Sequence, residues 1–154
     1  MNPLKQLEAC GQSPWLDYLE RSLIAKGELR TLVERDGLKG VTSNPSIFEK
    51  AIGETDEYAD AIKQYEASAD HSISDVYEHL AIADIRAGAD ILPAAYDKTQ
   101  ARDGYISLEC SPYLANDTEA TVNEARRLWA AVGRRNLMVM VCRRLPLAFP
   151  PSAR

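Results

Sequence analysis

Four polar side chains stand where this sequence could do chemistry: Asp17, Thr42, Asn44 and Glu109. Each falls at the end of a short apolar run. Asp17 closes Ser13-Pro-Trp-Leu-Asp-Tyr18, Thr42 and Asn44 close Leu38-Lys-Gly-Val-Thr-Ser43 and its Asn-Pro turn, and Glu109 closes Gly104-Tyr-Ile-Ser-Leu-Glu-Cys110. Two carboxylates, a hydroxyl and a carboxamide brought together would suit proton shuttling on a hydroxylated substrate. Each type also has a plainer use. An aspartate at a strand end commonly caps a helix, and asparagine before proline is a turn residue. Glu109 says more, because an ionised carboxylate within an apolar strand is costly unless it is paired or hydrogen-bonded.

The elements that must position these residues follow from periodicity. Residues 2–10 predict a short amphipathic helix with Leu4 and Leu7 turned inward. The first strand then spans 13–18. Leu29, Leu32 and Val33 recur at helical spacing within 27–36, and Gly37 can end that helix. Residues 38–43 predict the second strand. Asn44-Pro-Ser46 forces a turn, with proline well placed to start the helix carrying Ile47, Phe48 and Ile52. Residues 55–98 predict two or three helices, one of them capped by Ser72-Ile-Ser-Asp75. In the third strand, 104–110, Ile106, Leu108 and Cys110 face one way and Tyr105, Ser107 and Glu109 the other. Asn116-Asp-Thr118 caps a helix with an apolar stripe of Ala125, Leu128, Trp129 and Val132, ended by Gly133. Asn136–Val141 is the fourth strand. Short strands alternating with amphipathic helices predict a parallel α/β fold. With no Gly-rich phosphate loop after any strand, a nucleotide-binding Rossmann domain is disfavoured. A barrel of eight parallel strands remains; it takes about 250 residues, and four strands are half of one.

Composition narrows the function classes. The chain has 154 residues, 45% hydrophobic and 27% charged, with a formal net charge of −5, values of a globular protein with no nucleic-acid footprint. Arg134, Arg135, Arg143, Arg144 and Arg154 are a local exception, read as a solvated tail. No apolar run approaches membrane-spanning length and the N-terminus has no apolar leader, so a cytoplasmic protein without membrane partners is expected. Cys10, Cys110 and Cys142 lack metal-ligand spacing and read as reduced, buried thiols. His71 and His79 have no third ligand nearby and read as surface residues on a helical region. No metal site is expected.

Several blocks resemble the transaldolases of the longer bacterial type. Val41-Thr-Ser-Asn-Pro-Ser46 matches the family's Thr-Ser/Thr-Asn-Pro-Ser/Thr signature. Trp15-Leu-Asp17, Gly40 to Phe48, Gly104 to Glu109, Ser111 to Asp117 and Glu124 to Trp129 extend the match in the right order. The resemblance runs from about residue 2 to Val141. It implies a (β/α)8 barrel that passes a dihydroxyacetone unit from sedoheptulose 7-phosphate to glyceraldehyde 3-phosphate in the pentose phosphate pathway, through a lysine Schiff base and without metal or organic cofactor. On these positions it makes Asp17 the acid/base at the substrate hydroxyl and Glu109 the carboxylate acting through a water on carbinolamine steps. Asn44 would hold the dihydroxyacetone hydroxyls, and Thr42 would support the water network. Sugar phosphates would be the substrates. The expected fold is therefore an incomplete (β/α)8 barrel, its first four strands with their helices, over residues 1–141.

The resemblance breaks at the fourth strand. Where the family reads Asn-Leu-Met-Val-Lys-Val-Pro-Ala-Thr, this chain has Met140 in the lysine position. Methionine has no amine, so no carbinolamine can form there. Residues 142–154 then leave the family altogether. With suitable codons, the family-like continuation Pro-Ala-Thr-Pro-Ala-Gly-Ile-Pro-Ala-Ile-Arg, read out of frame, gives Cys-Arg-Arg-Leu-Pro-Leu-Ala-Phe-Pro-Pro-Ser-Ala, the sequence of Cys142 to Ala153. The segment is thus expected to be a frameshifted, disordered tail. A chain stopping there would lack strands five to eight and the phosphate site of the later loops, leave the fourth strand as an apolar edge, and be poorly soluble and inactive. Two other readings stay open: a non-enzymatic fragment or interaction module that pairs with an intact barrel, and an aldolase using Lys39 or Lys98 as nucleophile.

Overall fold

The computed structural model describes residues 2–67 and 71–141. The expected tail, 142–154, lies outside the described residues, as does Cys142. In chain order the elements are α1 (Pro3–Ala9), β1 (Trp15–Asp17), α2 (Arg21–Ala25), α3 (Glu28–Thr31, continued by a π turn over Leu32–Asp36), β2 (Gly40–Thr42), α4 (Pro45–Glu54), α5 (Ala59–Glu66), α6 (Ile73–Ala89), α7 (Pro93–Lys98), β3 (Tyr105–Glu109), α8 (Thr118–Val132) and β4 (Leu137–Met140). Single 3-10 turns sit at Asp56–Tyr58 and Pro112–Leu114. The four strands form one parallel sheet in the order β1-β2-β3-β4. This is the strand-helix alternation of a (β/α)8 barrel, present here as four strands of an open sheet.

Caps set the helix starts. Asn44 accepts the Ser46 N–H ahead of Pro45, Asp117 accepts the Ala120 N–H, and Ser72 and Asp75 close a reciprocal capping box at α6. Four expectations fail. Leu7 is 46% exposed and Leu4 only half-buried. Polar ties hold α1 instead: Asn2 Nδ2 donates to Asp36 Oδ1 at 2.7 Å, and Lys39 Nζ to Glu8 Oε1 at 2.6 Å. Trp129 is 52% exposed, so the stripe of α8 is narrower than its sequence suggests. Cys10, too, is exposed, whereas Cys110 is buried. Arg134 and Arg135 are bound to Asp90 and Asp97 on the surface and form no loose basic tail.

The sheet buries one face. Val41, Ile106, Leu108 and Leu137 are at most 6% exposed and pack with Leu19, Leu29, Phe48, Ile85, Leu92, Leu128 and Val132 from the surrounding helices and loops. Burying a side chain of this kind contributes about 1.5–3 kcal/mol. A smaller cluster of Ala51, Tyr58, Val76 and Leu80 lies with α4, α5 and α6. Two buried polar groups lock helices to the sheet. Asn136 Nδ2 donates to the carbonyls of Ala89 and Gly104, both at 3.0 Å, joining α6, β3 and the start of β4. Asp84 accepts from Arg21 Nε at 2.9 Å and Tyr58 Oη at 2.7 Å, tying α6 to α2 and the 3-10 turn. Gly104 has φ +84°, and a β-carbon there would sit 2.3 Å from the Tyr96 nitrogen, so only glycine lets β3 start beside α7.

Candidate functional site

Strand alternation assigns the site to the other face. Parallel partners in register share a face, and residues two apart along one strand share it too. Asp17 pairs with Thr42, Ser107 with Met138, and Glu109 with Met140. Gly40 pairs with Tyr105 and Val41 with Ile106, so Thr42 comes beside Ser107. One row across the sheet therefore holds Asp17, Thr42, Ser107 and Met138, and the next row up holds Glu109 and Met140. Below them the Trp15 indole lies over Gly40, where a β-carbon would meet the ring at 2.3 Å. Any side chain at position 40 would displace this floor.

The polar contacts are few and specific. Thr42 Oγ1 donates to Asp17 Oδ1 at 2.5 Å. That bond fixes the carboxylate, which is otherwise exposed. Glu109 is half-buried at the top of β3. Burial, and then the negative charge of Asp17, push its carboxyl above the usual range. The two carboxylates thus sense each other across the same face, and Glu109 holds its proton more tightly. Asn44 lies two residues past Thr42, at the start of α4. Its Oδ1 accepts from Ser46 N at 3.0 Å and from Ser46 Oγ at 2.6 Å. The nitrogen of that carboxamide, not the oxygen, is the atom able to meet a ligand hydroxyl. Met140, 43% exposed, and Met138, 44% exposed, put thioethers beside Glu109 and Ser107.

Ser107 was not singled out from the sequence, although alternation along β3 already puts it on Glu109's face. Only 1% exposed, it has no hydrogen-bond partner for its Oγ among the described residues. An unsatisfied buried hydroxyl costs about 1–3 kcal/mol. The two other candidate lysines are not at this end. Lys39 precedes β2, is buried, and is paired with Glu8. Lys98 ends α7, before β3, and its charge helps hold the Glu8 carboxyl below its usual range, after the larger effect of the Lys39 hydrogen bond. Both belong to the end of the sheet where the strands begin.

No group of three His, Cys, Asp or Glu side chains able to hold a metal occurs among the described residues. His71 and His79 each stack on Tyr65 with ring centroids 4.0 Å away, so the phenol ring separates the imidazoles. No helix among the described residues is long and apolar enough to cross a membrane. On the outer side, Ala125, Arg126, Trp129 and Val139 line a shallow apolar groove beside β4.

A family model described as Transaldolase/Fructose-6-phosphate aldolase matches residues 14–142. The chain is 44% identical over 140 residues to a transaldolase of Trichodesmium erythraeum, covering 91% of this chain and 37% of that protein. It is 46% identical over 140 residues to transaldolase 2 of Nostoc punctiforme, covering 91% and 36%. Against a transaldolase of Neisseria gonorrhoeae it is 44% identical over 141 residues, covering 92% and 40%. The chain therefore spans well under half the length of these relatives.

Proposed function

Because this chain belongs to the transaldolase/fructose-6-phosphate aldolase family, we propose that its strand-end face descends from a transaldolase site and keeps the acid/base half without the nucleophile. Asp17 is the acid/base at the substrate hydroxyl, and Glu109 works through a water. Asn44 holds dihydroxyacetone hydroxyls, and Thr42 orients Asp17. The ancestral reaction moves a dihydroxyacetone unit between sugar phosphates of the pentose phosphate pathway, in the cytoplasm. Residues 1–141 are the barrel part of the chain and 142–154 an unrelated tail.

One observation carries the loss of activity: the register partner of Glu109 is Met140. A thioether supplies no amine, so the ketose carbonyl cannot be captured beside the carboxylate that would serve it. Lys39 and Lys98 do not substitute, since they belong to the opposite end of the sheet. Borohydride trapping with fructose 6-phosphate tests this. No covalent adduct is expected, and an adduct mapped to any lysine of the chain overturns the proposal.

A second reading has its own support. Val141 is 54% exposed and Trp129 52% exposed, both beside β4, which pairs only with β3 among the described residues and so offers an edge to another strand. On that reading the chain is a non-enzymatic module that pairs with an intact barrel. Co-purification with a full-length transaldolase supports it, and failure to bind at micromolar concentrations removes it.

A further inference from the structure

We propose that the Asp17–Glu109 face enolises small, uncharged α-hydroxy ketones without any covalent intermediate. The inference rests on the reading of these two carboxyl groups as the acid and base of the site. Replacing lysine by methionine removes the electron sink of a Schiff base, but it leaves the proton-transfer groups in place. Enolisation needs only those: a base at the α C–H and an acid at the carbonyl oxygen. Thr42 holds Asp17 by Oδ1, which leaves Oδ2 as the oxygen to take a proton. Glu109 stands in the next row of the same face, one residue pair higher on the sheet. Burial and the Asp17 charge shift its carboxyl upward, the direction that favours an acid there.

Ser107 points independently to a hydroxylated ligand. Its Oγ is buried, unpartnered, on the same face and two residues before Glu109. A ligand hydroxyl would satisfy it and recover the cost of leaving it bare. The charge of the face chooses among ketones. Among the described residues placed on this face, Asp17 brings a negative charge and none brings a positive one, so a phosphorylated ketone is repelled where an uncharged one is not.

The step balances. The α-carbon loses its proton to the Asp17 carboxylate, the C–H pair forms the C=C bond, and the carbonyl oxygen takes the Glu109 proton. The product is an enediol, with Asp17 protonated and Glu109 ionised. Exchange of the Asp17 proton with solvent and reversal return the ketone carrying a solvent hydrogen.

The test is loss of the C–H proton signal of dihydroxyacetone in D2O, followed by NMR with the full chain and with buffer alone. The expected acceleration over buffer is about 10²-fold. Asp17→Asn and Glu109→Gln should each return it to the buffer rate. Ser107→Ala should weaken it while keeping the far-UV circular dichroism of the parent, because it deletes an unpaired hydroxyl. Lys98→Gln should leave it unchanged, and dihydroxyacetone phosphate should exchange more slowly than dihydroxyacetone. A folded chain that exchanges at the buffer rate overturns the inference, as does exchange that survives both carboxyl substitutions. Absence of exchange leaves the transaldolase descent standing. Exchange abolished by borohydride treatment with the ketone would instead show an iminium route and overturn both readings.

Discussion

At the scale of single residues the proposed site turns on position 140, which offers no amine. Position 140 is exposed, lies at the strand end and sits in register with Glu109. Only its chemistry is wrong for a Schiff base. Met140→Lys should therefore give a borohydride-trappable adduct with dihydroxyacetone that peptide mapping places at residue 140. Adding Glu109→Gln to that variant should slow its formation by about 10²-fold. Equal trapping with and without Glu109 would show that the carboxyl does not serve position 140. Ser107 makes the complementary case on stability. Ser107→Ala removes a buried hydroxyl that has no partner, so it should be neutral or stabilising in urea denaturation, by up to about 1 kcal/mol. A loss above that size would mean that the hydroxyl is satisfied in solution.

At the scale of elements the buried polar ties carry the predictions. Asp84 is 3% exposed and is held by Arg21 and Tyr58. Its carboxyl is nonetheless pushed up, because burial outweighs both partners. A group whose folded pKa is raised adds stability fully present below its unfolded value, and that stability is lost as pH rises through the folded one. Stability should thus fall as pH climbs above the ordinary aspartate value of 3.8. Asp84→Asn keeps an acceptor for Tyr58 and should remove that part of the slope, read as urea midpoints across pH. Asp84→Ala orphans the Tyr58 hydroxyl and should cost about 1–3 kcal/mol. Asn136→Ala strips two carbonyl partners at once and should cost a similar amount, with faster amide exchange at the start of β4 and the end of α6. An unchanged exchange pattern would mean that packing alone docks β4.

At the scale of the whole molecule the open sheet dominates. All-parallel sheets normally have both faces covered, yet helices cover one face here while Asp17, Met138 and Met140 on the other remain exposed. The edge strand β4 adds exposed apolar side chains at Met140 and Val141, beside Trp129 on α8. The weight-average mass from light scattering should therefore rise with concentration. Val141→Lys, a charge at the end of the edge strand, should lower it. Scattering that the lysine does not change would place the sticky surface elsewhere.

Asp17, Thr42, Asn44 and Glu109 were legible as strand-end polar residues because periodicity of two fixes which side chains share a face. The same alternation, with the Asn-Pro turn and the caps at Ser72 and Asp117, located the four strands and most helix starts. The reading of Met140 as the lysine position comes from residue identity and the resemblance, and it belongs to the proposal. What the sequence could not show was contact across strands. It left Leu7 and Trp129 on apolar stripes, because helical spacing does not say whether another layer lies opposite. It omitted α2, too short to show a period, and did not reveal that Lys39 is spent on Glu8. It also passed over Ser107, an ordinary residue until the fold removes every partner from its hydroxyl. Local pattern determined which residues face the site; only the tertiary structure, by bringing four strands into one register, decided which of them meet.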